Sequence, residues 1–434
     1  MQYLMNVSGI IIFMVIAWSL SNNRKVVNWR VIGWGIAFQL IFAMFVFMIP
    51  IGSRFFLLIN DLVIAVLDSA FAGTFFVFGP LAIGPGATGP GGVPSLGFIL
   101  ITQALPTIIF FAALMGILYY LGIMNWIIQG FSWLFTRLMK ISGAESLSAS
   151  ANIFVGIESA LVIRPHLNKM TKSELTTILT VGMATVASSM LAVYVFMLRE
   201  QFPTIAAHLV SASIMNAPAA IIMSKLIYPE TETPETLGLH VKPEYKKDPN
   251  LISAVISSAT AGAKLIVGIV TLLLAFLGLV ALADKILVLF GSQINALFGI
   301  GIDWTLKGLL GYLFYPVTLL LGIPLQDASV VSKIIGSRTI VTEVVAFQNL
   351  AAVLQSNVVL APRTVVITTY ALTGFAHIAS LAIFVGGIAA LVPERLNDLS
   401  RLGFRALLAA TLATLLTAAV AGLFYNPNSV LLNL

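Results

Sequence analysis

The sequence has very few charged residues and no cysteine. Of its 434 residues only 9% are Asp, Glu, Lys or Arg, whereas an ordinary soluble domain carries roughly 25%. So little charge cannot cover the surface of a soluble protein of this length, which excludes a soluble multidomain enzyme and a disordered chain. The lack of cysteine excludes disulfide scaffolds, thiolate metal sites, Fe–S clusters and cysteine nucleophiles.

Motifs for catalysis are also missing. Four histidines are few for metal chemistry, and the sequence contains no Walker motif, no HExxH and no Ser-His-Asp arrangement. Although the net charge is +6, the sequence contains no dense run of basic residues, so a nucleic-acid partner is not expected. We therefore predict a protein that is not an enzyme and has no organic cofactor. Without an ATP-binding module, transport would draw its energy from an ion gradient or from the solute's own gradient.

What the sequence does have is long apolar runs, since 59% of its residues are hydrophobic. A membrane helix needs about 20 apolar residues, whereas the strands of a membrane β-barrel alternate over only about 10. The pattern therefore predicts an all-α polytopic membrane protein with eight transmembrane helices. These spans are 4–20, 31–50, 98–121, 174–198, 204–227, 265–284, 364–391 and 402–425.

Three further apolar stretches are interrupted by polar residues or helix breakers. The stretch 55–79 is predicted to be an interfacial helix. The stretches 143–168 and 309–350 each carry ionisable groups part-way along, which predicts two re-entrant hairpins. Such a hairpin is tolerated at membrane depth only where protein or water satisfies its backbone.

The distribution of lysine and arginine predicts the orientation. Most of the 23 basic residues fall on one side of the eight-span arrangement, and the positive-inside rule makes that side cytoplasmic. Both termini are then predicted to lie outside the inner membrane, and the two hairpins enter from opposite sides. The proline-rich stretch 229–250 is predicted to be a cytoplasmic linker between two halves.

These boundaries divide the chain into six predicted regions. They are N-terminal membrane helices (1–54), an interfacial helix with the third span and scaffold elements (55–142), the first hairpin with one half of a transport core (143–228), the linker (229–250), a scaffold helix (251–308), and the second hairpin with the other half of the core and the last span (309–434).

One short pattern occurs twice. Gly182-Met-Ala-Thr-Val-Ala-Ser188 and Gly374-Phe-Ala-His-Ile-Ala-Ser380 share glycine, alanine and serine at matching places, and each lies in a span that follows a predicted hairpin. Chance similarity among small membrane residues is the alternative. Together with opposed hairpins, however, the pattern indicates inverted repeats, which place substrate and ion sites near the midplane at broken helices.

Polar residues within apolar segments are candidate site residues, because burying them in a membrane is costly. Glu158 and Glu343 lie within the two predicted hairpins, and His377 lies in the repeated pattern. The alternatives are structural ion pairs: Glu158 with Arg164 or Lys169, and Glu343 with Arg338. Three serines, Ser188, Ser189 and Ser380, either line a site or bond to the preceding helical turn. Asn152 can offer an amide oxygen to a cation.

Four blocks of sequence resemble the concentrative nucleoside transporter family. They are Ala104-Leu-Pro-Thr-Ile-Ile-Phe-Phe111, Asn152-Ile-Phe-Val-Gly156, Ile334-Ile-Gly-Ser-Arg338 followed by Glu343, and Thr369-Tyr-Ala-Leu-Thr-Gly-Phe-Ala376. The resemblance implies a trimer in which a two-hairpin core carries the site past a fixed scaffold. It also implies that Gly156, Ile157, Glu158, Glu343, His377 and Ser380 bind the substrate. For sodium it implies Asn152, the carbonyl of Val155 and Ser189, with Ser188 as a further ligand.

The departures from the family pattern bear on the substrate. Where the family usually has Gly-Gln-Thr-Glu, this chain has Gly156-Ile-Glu-Ser159, so two polar groups that read the base are replaced by Ile157. Where the family has asparagine after Gly-Phe-Ala, this chain has His377. Losing a buried hydrogen-bond partner typically costs about 1–3 kcal/mol, enough to change substrate preference by tens of fold.

The sequence therefore predicts a secondary active transporter that takes up a nucleoside-like solute across the inner membrane with a cation. Na⁺ is favoured, and proton coupling through Glu158, Glu343 or His377 is the alternative. A second alternative is a carrier of a different polar metabolite on the same fold, suggested by Ile157 and His377.

Overall fold

The computed structural model describes residues 2–89, 92–243, 248–356 and 358–432, and the side chains at positions 157, 158 and 432 lie outside the described set. Within these ranges the protein is helical and contains no strand, only two isolated bridges. The predicted all-α class is therefore confirmed.

The described residues of the first half form ten α-helices. Polar caps fix several of their starts: Asn28 accepts from the amide of Val31, and Thr171 forms a reciprocal capping box with Glu174. These caps satisfy amides that the first helical turn leaves unpaired. The helices are Gln2–Ser19 (α1), Trp29–Phe47 (α2), Pro50–Phe78 (α3), Leu100–Gln103 (α4), Pro106–Tyr120 (α5), Ile123–Met139 (α6), Gly143–Asn152 (α7), Lys172–Ala184 (α8), Ser188–Leu198 (α9) and Ile205–Ile227 (α10).

The second half follows the 228–250 connection, in which the described residues form no helix. Its longest helix, α11, has 48 residues and at 1.5 Å per residue would be about 72 Å long, more than twice the thickness of a bilayer's apolar core. The helices are Leu251–Phe298 (α11), Leu306–Leu320 (α12), Leu325–Ile340 (α13), Glu343–Gln355 (α14), Pro362–Leu372 (α15), Ile378–Leu391 (α16) and Leu396–Phe424 (α17).

Seven of the eight predicted spans fall in helical stretches long and apolar enough to cross a membrane, and two of these, 98–121 and 174–198, are each divided between two helices. The eighth, 364–391, is not one helix, because residues 373–377 separate α15 from α16. In the described residues an eighth sufficiently long apolar helical stretch is instead 50–82, which contains α3. An interfacial position for α3 therefore stays a prediction.

Both predicted hairpins differ in detail from the expectation. The first consists of α7, a short tip, and a 3₁₀ segment, Ile157–Lys169, in place of a second α-helix; Pro165 lies inside that segment and cannot donate a backbone hydrogen bond. The predicted 309–350 hairpin contains three helices, because Gly322 reverses the chain between α12 and α13 with a φ of 71°. A second interruption, at residues 341–342, places Glu343 at the first turn of α14.

The two halves present the same order of elements. In each, a first helix (α5 or α11) precedes a second helix (α6 or α12), a hairpin, a helix broken in two, and a final unbroken helix (α10 or α17). The two leading helices, α5 and α11, pack on each other at close range, because a Cβ on Gly116 would collide with Ser258 and one on Gly262 would touch Ala112. α10 and α17 are buried centrally, whereas α11 is exposed along most of its length.

Candidate functional site

The tip of the first hairpin contacts the break between α8 and α9. The backbone amide of Ser188, the first residue of α9, donates to the carbonyl of Phe154 at 3.0 Å. Phe154 lies two residues beyond the end of α7. The break frees backbone groups that α8 and α9 would otherwise bond internally, so this contact brings helix-end carbonyls and hydroxyls to one place.

Asn152 presents an unused oxygen at this contact. Its side chain is fully buried, and its amide nitrogen donates to the carbonyl of Ser148 at 3.0 Å. That bond fixes the orientation of the amide, and its Oδ1 accepts no hydrogen bond from the described residues. A buried, unpaired carbonyl oxygen carries a desolvation cost that a bound cation removes. The residues therefore fit a site for a hard monovalent cation with neutral oxygen ligands.

Four of the other predicted residues line a cavity of about 720 Å³ beside Asn152. Val155, Gly156, Ser188 and Ser189 form its inner wall, and α5 and α11 form the opposite wall. Arg164 contributes a positive charge to the lining. The cavity therefore separates the first hairpin from the long helix pair. The side chains of Ile157 and Glu158 lie outside the described set, so their binding roles stay predictions.

Glu343 is fully buried at the start of α14. Thr342 caps this helix through its hydroxyl, and a carboxylate in the first turn is favoured by the helix dipole. The Oε1 of Glu343 accepts a hydrogen bond of 2.6 Å from the phenol of Tyr194 on α9. The Tyr194 ring stacks on Phe347, with ring centroids 4.3 Å apart. Glu343, in the second half of the chain, is thus held by the side chain of Tyr194 from the first half.

His377 caps α16 and faces Glu343 at the same time. Its Nδ1 accepts from the backbone amide of Ser380 at 3.2 Å, so in the neutral imidazole the proton is on Nε2. Nε2 lies 2.9 Å from Oε2 of Glu343. The two atoms are not aligned as a hydrogen bond, and neither bonds to another described residue. A buried donor and a buried acceptor therefore lie side by side with unused hydrogen-bonding capacity.

Ser380 lies in the same turn, but its hydroxyl is already engaged. It donates to the carbonyl of His377 at 2.6 Å and accepts from the His377 amide at 3.1 Å. This is a reciprocal helix cap, in agreement with the local hydrogen-bonding alternative considered for the serines. These bonds hold the turn that carries His377, and a substrate-binding role for Ser380 stays a prediction.

Of the structural ion pairs considered from sequence, the one between Glu343 and Arg338 does not form, and those of Glu158 lie outside the described side chains. Arg338 is fully buried and donates from Nη1 to the carbonyl of Ala371 at 2.5 Å and to Thr414 at 3.1 Å. It makes no ion pair with Glu343 within 4 Å. Lys169 pairs with Glu235 at 2.8 Å. Among the described residues, the basic group nearest to the Glu343 carboxylate is therefore the imidazole of His377.

Two residues of this centre were missed by sequence reasoning. Tyr194 lies in the apolar second half of a broken span, and a phenol there normally needs a polar partner. Asn216 lies in the middle of α10, where its amide donates to Ala184 and Thr373. Each is a lone polar group in an apolar run, which is a usable signal. Neither falls in the repeated pattern or in a predicted hairpin, so neither was selected.

Family models cover most of the chain. One described as "Na+ dependent nucleoside transporter C-terminus" matches residues 208–422, and its N-terminal counterpart matches residues 8–81. A third, described as a gate for nucleoside recognition, matches residues 101–201 and so includes the first hairpin and the α8–α9 break.

Individual proteins are similar along nearly the whole chain. An uncharacterized transporter of Haemophilus influenzae is 38% identical over 98% of both chains. Sodium/nucleoside cotransporter 1 of the rat is 34% identical over 99% of this chain, which spans 65% of the rat protein. A structure of CNTnw in an inward-facing substrate-bound state is 34% identical over 99% of each chain, with a TM-score of 0.88.

Proposed function

Because the chain belongs to the concentrative nucleoside transporter family, we propose that it is a Na⁺-coupled importer of nucleosides. It is a multi-pass membrane transporter and not an enzyme. The finer parts of the proposal are the coupling ion, the solute and the residues that hold each of them.

One observation carries the proposal: buried polar atoms with unused bonding capacity lie at both helix breaks. At the second break they are Oε2 of Glu343 and Nε2 of His377, and at the first break it is Oδ1 of Asn152. An acceptor and a donor 2.9 Å apart suit neighbouring hydroxyl groups of a ribose, one donating to the carboxylate and one accepting from the imidazole. A neutral amide oxygen suits Na⁺.

The base would then lie toward the first hairpin. The tip of this hairpin lines the 720 Å³ cavity through Val155 and Gly156. Ile157 would offer the base an apolar contact where the family usually has polar groups, and Glu158 remains the proposed acceptor for a base N–H. Sodium would be held by Asn152, the carbonyl of Val155 and Ser189, with Ser188 alongside.

Transport into proteoliposomes tests the proposal. Purified protein is reconstituted, and uptake of labelled uridine and adenosine is measured with an inward Na⁺ gradient, with choline in place of Na⁺, and with a pH gradient alone. We expect accumulation above the external concentration only with Na⁺. Accumulation that is independent of Na⁺ would contradict sodium coupling.

Proton coupling through Glu158, Glu343 or His377 is the second candidate. Nδ1 of His377 accepts from the amide of Ser380, and its Nε2 lies 2.9 Å from Oε2 of Glu343, so these two side chains form a buried acid–base pair. The assay with a pH gradient alone tests this candidate, because accumulation driven by that gradient would replace Na⁺ as the coupling ion.

A different polar metabolite is the remaining candidate, because His377 and Ile157 depart from the family pattern. A thermal-shift screen with nucleosides, nucleobases and sugars separates the two solute classes. We expect nucleosides to raise Tm in the presence of Na⁺. Stabilisation by another class, with none by any nucleoside, would replace the proposed substrate.

The proposal includes an arrangement in the membrane. We place the protein in the inner membrane with both termini outside, and we propose a homotrimer in which α5 and α11 form the fixed scaffold. The hairpins and broken helices would move against that scaffold across the 720 Å³ cavity. The exposed apolar side of α11, including Leu274 and Leu279, supports contact with lipid or with neighbouring copies.

A further inference from the structure

The two helix breaks meet each other at the centre of the protein. Gly374, in the second break, has a φ of 154°, and a Cβ there would lie 2.8 Å from the carbonyl oxygen of Ala184 at the first break. Only glycine allows the two backbones to approach this closely. The proposed ion site and the proposed solute site therefore adjoin through backbone that is not in regular helix.

Asn216 on α10 joins the two breaks directly. Its side chain is fully buried, and its amide nitrogen donates to the carbonyl of Ala184 at 2.9 Å and to the carbonyl of Thr373 at 2.6 Å. Ala184 is the last residue of α8, and Thr373 follows the last residue of α15. One NH₂ group has two donor hydrogens, so each break takes one of them.

A second residue of α10 extends this connection to the first hairpin. Ser213 lies three positions before Asn216, which places the two side chains on the same face of the helix. Its hydroxyl donates at 2.9 Å to the carbonyl of Ile153, the residue that follows Asn152. α10 thus fixes the hairpin tip through Ser213 and both breaks through Asn216.

We propose that Asn216 is the positioning residue that couples the ion site to the solute site. Ion binding at Asn152 and Ser189 orders the hairpin tip and the first break. Asn216 holds the second break in register with the first, so that His377 meets Glu343 in the geometry that binds solute. The coupling is reciprocal, because a cation that raises solute affinity must have its own affinity raised by the same factor. This inference rests on the proposed function.

The test compares two buried amides that are matched in their surroundings. Asn216→Leu removes both hydrogen bonds with little change in volume. Gln39 is also fully buried, and its amide nitrogen donates to the carbonyl of Met215 on α10 at 2.9 Å and to the hydroxyl of Thr417 on α17. Gln39→Met removes both of these hydrogen bonds with little change in volume. Gln39 touches neither break. A general weakening of the packing around α10 would therefore affect both variants.

The quantity measured is the ratio of the uridine Kd in choline chloride to that in NaCl, at constant ionic strength, on purified protein. Adenosine replaces uridine if the wild type binds it more tightly. The ratio compares two affinities of one variant, so a lower folded fraction cancels. We expect at least about tenfold for the wild type and for Gln39→Met, and a ratio within about threefold of unity for Asn216→Leu.

Each other outcome has a defined meaning. A wild type that binds nucleoside equally in both salts contradicts the proposed sodium coupling itself. A coupled wild type together with a fully coupled Asn216→Leu overturns only the role of Asn216, as does an equal loss in Gln39→Met. If Asn216→Leu does not fold, Asn216→Ser, which keeps a single donor, is measured instead; an unchanged ratio in that variant overturns the inference.

Discussion

At the scale of single residues, His377 combines two tasks in one side chain. Its Nδ1 replaces the oxygen of a usual helix N-cap, and its Nε2 faces the buried carboxylate of Glu343. An asparagine at this position can cap the helix through its side-chain oxygen but has a shorter reach. The histidine therefore keeps the cap of α16 and changes the group that a solute in the proposed site would contact.

Replacing His377 tests this division. In His377→Asn the cap is kept but the donor at Nε2 is lost, so we expect weaker binding of nucleosides and a Tm close to that of the wild type. In His377→Ala the cap is lost as well, at a cost of about 1 kcal/mol, and Tm falls. Calorimetric titration with uridine and adenosine checks the affinities. Unchanged nucleoside affinity in His377→Asn would count against a substrate-binding role.

Glu343 is expected to contribute its charge to solute binding. Glu343→Gln keeps the shape of the side chain and an acceptor for the phenol of Tyr194. It weakens the hydrogen bond to a solute hydroxyl, because hydrogen bonds to charged groups are roughly twice as strong as those between neutral groups. We expect at least about tenfold weaker nucleoside binding, with Tm changed little. Glu235→Gln, at an exposed residue paired with Lys169, is the control and should bind as the wild type does.

Sequence reasoning at this scale singled out Glu343 and His377, which lie side by side in the structure, but not their neighbour Tyr194. Glu343 and His377 were identified because charged and polar groups are rare in apolar segments, and the structure brings them within 2.9 Å. Tyr194 was missed because its contact with Glu343 is between distant parts of the chain. Periodicity along one helix carries no information about which helix lies opposite.

At the scale of elements, the start of the first hairpin is fixed by a buried ion pair. Nζ of Lys225, near the end of α10, lies 2.6 Å from Oε1 of Glu145 on α7. Lys225 also donates to Ser173 at 2.9 Å, and Glu230 of the linker lies 3.8 Å away. The 229–250 stretch therefore contributes to holding the hairpin, in addition to connecting the halves.

Breaking this ion pair should lower the free energy of unfolding, and a second substitution should restore most of it. Glu145→Leu leaves Lys225 buried with only the more distant Glu230, and we expect a loss of about 3 kcal/mol in unfolding free energy. Adding Lys225→Met removes the unpaired charge and should restore most of that loss. Denaturant unfolding in detergent measures the cycle. Additive losses in the double variant would show that the two residues do not act as a pair.

The proposed ion site lies at the tip of the first hairpin. Asn152→Leu removes the unused Oδ1 while keeping the side-chain volume, so we expect the Na⁺ concentration that half-saturates uptake to rise at least about tenfold. Ser150→Ala is the matched control, because Ser150 lies on the same buried helix and bonds only to the carbonyl of Ser146. Equal Na⁺ dependence in both variants would remove Asn152 from the site.

Sequence patterns predicted the existence of these elements better than their ends. The repeated Gly/Ala/Ser pattern marked both helix breaks, because small residues allow backbone to leave the helix. The division of 306–355 into three helices was not predicted, since Gly322 and Val341 interrupt an apolar run in which several other residues would serve equally well. α6 was missed as a separate helix, being shorter and more polar than a membrane span.

At the scale of the whole molecule, the fold positions two broken helices back to back between two hairpins. The central helices α10 and α17 are buried almost throughout, and the long α11 presents apolar residues outward. Composition and the length of the apolar runs together predicted a helical membrane protein, because 9% charge cannot cover a soluble fold and the runs exceed the strands of a membrane β-barrel. The crossing of the two breaks was beyond prediction, as it depends on packing between halves that are far apart in sequence.

The central claim is that one buried centre holds both solute and cation at these breaks. A structure determined with nucleoside and Na⁺ bound tests it most directly. We predict ribose hydroxyls bonded to Oε2 of Glu343 and Nε2 of His377, with an ion coordinated by Oδ1 of Asn152. A nucleoside bound away from Glu343, for instance in the cavity of about 550 Å³ between Pro85 and Gln348, would contradict the account.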